Sequence, residues 1–253
     1  MSEKLNLLLQ KWPSGALVPS IWLRDQGISR QLLKKYSNSG WVESIGPGIY
    51  KRPGDEIQWS GVLFTLQSLM ALDVHLGGKS VLEINGLAHY IRSDEQNVIL
   101  WKTPATRLPV WFKRFQFDRQ FIIYSTKLFS DTQAGLRKEI VGSQEIWTSC
   151  PERAAIEYVH DIPQKESFDE ALFIFEGLFS LRSSVLQELL TLCTSIKTKR
   201  LFLYLAKETN LPWYSTIDES EIELGKGKRT IHKGGILDTD YQIVVPQINR
   251  EDR

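Results

Sequence analysis

The chain has 253 residues, 42% of them hydrophobic and 24% charged, with a formal net charge of +1. This is ordinary globular composition, which excludes a fibrous or disordered chain, and at roughly 150 residues per domain the length predicts about two domains. No run of about 18 apolar residues occurs and MSEKLNLLLQKW lacks a signal-peptide pattern, so no membrane span or secretion is expected and the location expected is cytoplasmic.

Leu5, Leu8 and Leu9 repeat at helical spacing and predict a short amphipathic helix over residues 3–11, broken by Pro13, Ser14 and Gly15. Pro19 sits near the start of a second helix, where its missing N–H costs nothing. Ile21, Trp22 and Leu23 form that helix's buried side, and Gly27 supplies the positive φ that ends it. Ser29 is an N-cap for a third helix reaching Ser37. Leu32 and Leu33 point inward there, and Arg30, Gln31, Lys34 and Lys35 face solvent. Asn38 and Gly40 end this helix. Trp41, Val42 and Ile45 alternate as a strand, Gly46-Pro47-Gly48 turns, and Ile49–Lys51 returns. Helix, tight turn, basic helix and hairpin make a winged helix-turn-helix, closed by Pro53 and Gly54.

In such a module the second helix enters the major groove, led by its N-terminal residues. Arg30 and Gln31 hold those positions, and Arg suits guanine as Gln suits adenine through paired hydrogen bonds. Lys34, Lys35 and Tyr36 suit phosphates, as do Lys51 and Arg52 on the wing. Together with Ser29 these are the candidate DNA-binding residues. Within 16–52 the cations outnumber the acids Asp25 and Glu43. A winged helix can equally be a protein-docking or structural module, and a basic helix face can be merely solvated.

Beyond residue 55 the periodicity of Val62, Leu63, Leu66, Leu69 and Met70 predicts a helix over 58–73, ended by Gly77 and Gly78. Ser80 is the expected cap of the next, running toward Tyr90. Val98–Trp101, Phe121–Tyr124, Lys138–Val141 and Ile146–Trp147 predict strands of a small mixed or antiparallel sheet. Pro151 and Glu152 open a helix to His160. Three helices follow over 167–180, 182–193 and 196–208. The fold class is therefore α+β: a winged helix over 1–55, then a larger mixed α+β domain over 56–253 whose later part is rich in helices.

Two further segments are basic. In 107–138, Arg107, Lys113, Arg114 and Arg119 lie among Trp111, Phe112, Phe115 and Phe117. Aromatics among cations can stack on single-stranded bases, or can be core with a solvated cationic rim; a second phosphate-contacting surface on duplex DNA is a third reading. In LGKGKRTIHKGG, Gly225 and Gly227 with Lys226, Lys228 and Arg229 suggest a phosphate cradle. The run fails the phosphate-loop pattern, however, and a loop or hairpin leading into YQIVV accounts for it.

Enzyme signals are weak. Asp238 and Asp240 flank Thr239, a spacing that can hold a metal. Gly234 and Gly235 nevertheless lie too close for a nucleotidyltransferase turn, and no third carboxylate completes the set. His75, His89, His160 and His232 are scattered, and none pairs with a cysteine at a zinc-like interval. No G-x-S-x-G elbow occurs. Cys150 and Cys193 are expected reduced and packed. The expectation is a protein with no catalysis, metal or cofactor.

The succession SGWVESIGPGIYKRPGD, WSGVLFTLQSL, KSVLEINGLAHYI and VILWKTPATRLPVWFKR resembles the AbiEi-type antitoxins of type IV abortive-infection systems. The resemblance rests on Gly48-Ile49-Tyr50-Lys51-Arg52 at the wing, the small-residue turn around Gly86 and Ala88, and Pro109, Trp111, Phe112 and Lys113. It covers most of residues 1–210. It implies a winged helix that represses its own operon by binding inverted repeats in double-stranded operator DNA, as two copies. It also implies a larger part that supports repression and neutralises a nucleotidyltransferase-like toxin encoded alongside, without a stable complex. The other reading from the residues is a protein-interaction scaffold whose winged helix does not read DNA.

Overall fold

The structure is a computed structural model and describes residues 3–88 and 97–248. The first half of the chain runs α1 (Glu3–Lys11), β1 (Val18–Pro19), α2 (Ser20–Asp25), α3 (Arg30–Asn38), β2 (Glu43–Gly46), β3 (Ile49–Lys51), α4 (Trp59–Phe64), β4 (Val74–Leu76), α5 (Lys79–Ile84), β5 (Val98–Lys102), α6 (Val110–Arg114) and β6 (Phe121–Ser125). The second runs β7 (Leu136–Val141), β8 (Gln144–Ser149), α7 (Pro151–His160), α8 (Phe168–Glu176), α9 (Ser183–Leu192), α10 (Ile196–Glu208), β9 (Arg229–Thr230), β10 (Ile236–Asp238) and β11 (Ile243–Val245). The fold is α+β, as the sequence predicts. Among the described residues no helix is long and apolar enough to cross a membrane.

These elements form two compact units. The first comprises the described residues of Met1–Leu76, Glu95–Ser125 and Lys138–Thr148, and the second those of Gly77–Asp94, Thr126–Arg137 and Ser149–Arg253. The first unit thus extends past residue 55, and its packing shows why. Gly61 lies so close to the chain before β1 that a Cβ there would sit 1.9 Å from the Gly15 carbonyl oxygen. One turn later, the buried Thr65 hydroxyl donates to the Leu17 carbonyl at 2.7 Å and to the Gly61 carbonyl at 2.8 Å. Only a residue without a side chain permits that approach.

The helix predicted over 58–73 is shorter and changes pitch. Regular α-helix ends at Phe64, and Thr65–Leu69 continues as a π-helical turn. That turn aims buried Gln67 at the sheet. Its amide donates to the carbonyls of Val74 and Trp147, both at 2.9 Å, and its oxygen accepts from the Trp147 N–H at 2.8 Å. Strands β4 and β8 run parallel with Leu76 opposite Thr148, so the Gln67 amide adds three bonds where their own ladder is short. The sheet has five strands in the order β6-β5-β4-β8-β7. It is mixed: β4 and β5 are antiparallel, β5 and β6 parallel from Val98–Phe121 to Lys102–Ser125. Strand β4 was not among the predicted strands.

In the second unit, Pro151 opens α7 and Glu152 stands in its first turn, as predicted. Helix α7 is buried along nearly its whole length and carries a fully paired ionic network. Glu157 accepts from Arg153 Nε at 2.9 Å, from the Ser149 hydroxyl at 2.8 Å and from the Gly78 N–H at 3.0 Å. Arg153 donates onward to the carbonyls of Thr132 and Ala134. A buried charge is tolerated when its hydrogen-bonding capacity is met in this way. The Gly78 contact also corrects the predicted cap of α5. Gly78, at φ 55°, precedes the helix, and Ser80 lies within it. Helix α5 ends at Ile84; the predicted continuation to Tyr90, with His89, reaches outside the described residues.

The three later helices occur as predicted, to within a few residues at their ends. Both cysteines are buried free thiols, and burial pushes each up to about 11, which keeps them protonated.

Candidate nucleic-acid interface

The interface is built on α3. Ser29, in extended conformation, accepts from the Leu32 N–H at 3.2 Å and caps the helix as its sequence predicts. Leu33 and Tyr36, three residues apart, enter a core with Leu5, Leu8, Trp12, Val18, Leu23, Ile28 and Val42. Packing on that core fixes the roll of the helix, and Arg30, Gln31, Lys34 and Lys35 are left exposed along the opposite face. Tyr36 was grouped with the phosphate-contacting residues by its sequence position; at 5% exposure it is a core residue instead. Leu32 is half-buried. In α2 only Leu23 is buried, whereas Ile21, predicted inward, is 52% exposed.

The wing is a three-stranded sheet in the order β1-β3-β2, with Val18 opposite Tyr50 and Lys51 opposite Glu43. The turn is bonded to the head of α2, where the Ser20 N–H donates to the Gly48 carbonyl at 2.8 Å. Gly48 has φ 74°, which suits glycine. The register pairs the wing cations internally. Lys51 Nζ lies 3.3 Å from Glu43, and Arg52 Nε donates to Asp55 Oδ2 at 3.1 Å.

Between α2, the head of α3 and the wing turn lies a recess of about 430 Å³, lined in part by Ser20, Ile21, Arg24, Arg30 and Gly48. Arg24 shares this recess with Arg30, yet it was absent from the candidate residues. Its place in the last turn of α2, facing the next helix, was the available signal.

The second basic region separates into two environments. Trp111 and Phe112 are buried, 8% and 7% exposed, whereas Phe115 and Phe117 are half-buried. Arg107, Lys113 and Arg119 line a groove that Arg114 does not line. The Arg119 guanidinium stands 5.8 Å from the Trp59 ring centre.

The glycine-rich run near the C-terminus is organised from within. Arg200, 3% exposed, donates to the carbonyls of Leu224, Gly225 and Gly227 at 2.7, 2.9 and 2.6 Å. Inward-facing carbonyls around a guanidinium cannot cradle phosphate; the exposed Lys226 and Lys228 side chains project outward from this cage. Asp238 accepts from the Tyr241 N–H at 2.8 Å to close a turn, and Asp240 pairs with Lys207. His160 Nδ1 is 3.0 Å from the Thr198 hydroxyl, and His75 is buried in β4.

Comparison with known proteins agrees with this architecture. No curated protein matches the chain. In fold it is similar to the RV2827C protein from Mycobacterium tuberculosis, whose crystal structure superposes with a TM-score of 0.58 at 16% identity. That match covers 95% of this chain and 89% of the other. Residues 1–93 match the family model described as the transcriptional regulator, AbiEi antitoxin N-terminal domain. Residues 95–246 match the model described as transcriptional regulator, AbiEi antitoxin, type IV TA system. The chain belongs to the AbiEi antitoxin family of transcriptional regulators of type IV toxin–antitoxin systems.

Proposed function

We propose that this antitoxin represses its own operon by reading inverted repeats in duplex DNA through α3, and opposes a nucleotidyltransferase-like toxin encoded alongside. The observation that carries the reading is the face of α3: a capped helix, locked to a core by Leu33 and Tyr36, presents Arg30, Gln31, Lys34 and Lys35 together to solvent. Arg30 and Gln31 lead into the major groove and contact base edges. Lys34 and Lys35 contact phosphates and set the register. Arg24 joins Arg30 at the recess.

The wing plays a smaller part. Lys51 and Arg52 must exchange Glu43 and Asp55 for phosphate, so their net gain on DNA is reduced. Two copies bind, one per half-site, because dimeric sites mirror protein symmetry. DNA reading belongs to residues 1–55 and antitoxin action to 56–253, in the cytoplasm and without catalysis by this chain.

The test is a shift assay on the chain's own promoter across salt concentrations. Sequence-dependent binding that weakens steeply with salt supports the reading. Weak, salt-insensitive binding together with a co-purifying protein partner supports a scaffold instead.

A further inference from the structure

The first unit carries a second concave surface that the winged-helix reading does not use. It is a groove of about 1020 Å³, open to solvent, in the segment from Lys102 to Ile123. Its floor is aromatic. Phe112, Phe115, Phe117 and Phe121 form a ring cluster with centroid separations of 5.0–5.5 Å. Phe112 is buried, whereas Phe115, Phe117 and Phe121 are half-buried and line the cavity. Its rim is cationic: Lys102, Arg107, Lys113 and Arg119 against the single acid Asp118. Lys113 and Arg107 are exposed and have no ion-pair partner among the described residues.

The scaffold under this groove is firm. Strands β5 and β6 pair in parallel over five residues, which fixes Lys102 and Phe121. Trp101 stacks on Tyr124 at 4.6 Å in the same pair of strands. Arg119 is held over Trp59.

Flat apolar rings inside a ring of cations fit one ligand chemistry well. Phenylalanine faces attract the flat faces of unpaired bases, and the cations attract the phosphates joining them. A concave site with cations of one sign also concentrates polyanions. Duplex DNA stacks its base faces against one another, so it can use the rim but not the floor. The volume lies at the top of the roughly 300–1,000 Å³ range of small-molecule sites, which leaves room for more than one nucleotide.

We infer that this groove binds unpaired nucleotides, with bases on Phe115 and Phe117 and phosphates on Arg107, Lys113 and Lys102. The inference is independent of the winged-helix reading and survives its failure.

The test uses the full chain and labelled oligouridylate and oligothymidylate of about ten nucleotides, followed by fluorescence anisotropy. Unlabelled duplex, uridine monophosphate and polyglutamate serve as competitors. Wild type binds both oligomers saturably, and duplex competes poorly. Phe115→Leu, which keeps apolar volume but removes the ring, weakens binding about tenfold or more. Phe115→Trp restores it. The double change Arg107→Ala with Lys113→Ala lowers the slope of affinity against salt by up to about two. Arg30→Ala leaves oligomer binding unchanged, which separates this site from α3. Displacement by uridine monophosphate identifies free nucleotides as ligands of the same site; resistance to it identifies a strand.

No saturable binding by the wild type overturns the inference. So do full affinity in Phe115→Leu with an unchanged thermal melt, duplex competing as well as single strand, or polyglutamate displacing the oligomers as effectively as unlabelled oligomer. Should Phe115→Leu melt early, Phe117→Leu and the rim double variant supply the same readings.

Discussion

One oxygen of Asp55, Oδ2, accepts from Arg52 Nε at 3.1 Å and also from the Gly15 N–H at 3.2 Å. The last cation of the wing is thereby tied to the loop between the first helix and the first strand. Arg52 therefore has a stabilising duty before it meets any ligand. Asp55→Ala removes both bonds and leaves a half-buried guanidinium unpaired, at a cost of about 1 to 3 kcal/mol. Thermal unfolding of the variant should show that loss. Arg52→Ala should lower stability similarly while changing the salt slope of DNA binding less than Lys35→Ala does.

Ser29 caps α3 with a single hydroxyl. Ser29→Ala should cost about 1 kcal/mol, and Ser29→Asp should retain the cap. Because α3 carries the proposed reading residues, fraying of its first turn should also weaken operator binding. Paired measurements of thermal midpoint and operator affinity on the two variants check this: alanine lowers both, aspartate keeps the midpoint.

Gly61 has no room for a methyl group beside Gly15. The obstacle is backbone rather than a movable side chain, so Gly61→Ala must push α4 away from the strand that supports the wing. A loss of about 3 kcal/mol is expected. Gly27→Ala differs, because nothing lies within 4 Å of its Cβ position and only its φ of 78° resists; its cost should be about 1 kcal/mol. Denaturant titration of both variants measures the contrast.

The acid limb of stability should depend on Glu152. Burial alone pushes its carboxyl up, but bonds from the Arg182 side chain at 2.9 and 3.0 Å and from the Arg182 N–H at 3.0 Å outweigh it. The group is held down to about 2, below its ordinary value of 4.5. A carboxylate depressed by folding stabilises fully above its unfolded value and loses that contribution as pH falls toward its folded one. Stability should therefore drop between about pH 4.5 and pH 2, by about 2 kcal/mol from this group. Urea titrations at stepped pH should show a flatter acid limb in Glu152→Gln, together with lower stability at neutral pH.

What the residues announced, and what they withheld, follows a physical division. Local signals were readable: Ser29 at its cap, Pro151 at its helix start, the leucine spacing of α1, and the β-rich runs of β5 and β6. Each depends on neighbours a few positions away. The misplaced features depend on distant partners. Gly78 rather than Ser80 precedes α5 because Glu157, 79 residues on, takes its N–H. Gln67 sits in a π-helical turn because two strands need its amide. The Gly225 loop is shaped by Arg200, and no local pattern encodes a guanidinium arriving from another helix. Strand β4, three residues long, is too short to show a period. In α3 the reading was right about the four exposed polar residues and missed Tyr36, since a tyrosine among lysines looks like surface until the helix is rolled onto its core. Arg24 was overlooked because its place beside Arg30 is made by the turn between α2 and α3.

The central claim is that α3 reads duplex sequence. Its most direct test is operator and random-duplex affinity, measured across salt, for wild type, Arg30→Ala and Lys35→Ala. The account predicts that Arg30→Ala loses about 1–3 kcal/mol on the operator and little on random duplex. Lys35→Ala should weaken both duplexes alike and reduce the salt slope by about one. Equal affinity of wild type and Arg30→Ala for both duplexes would contradict it.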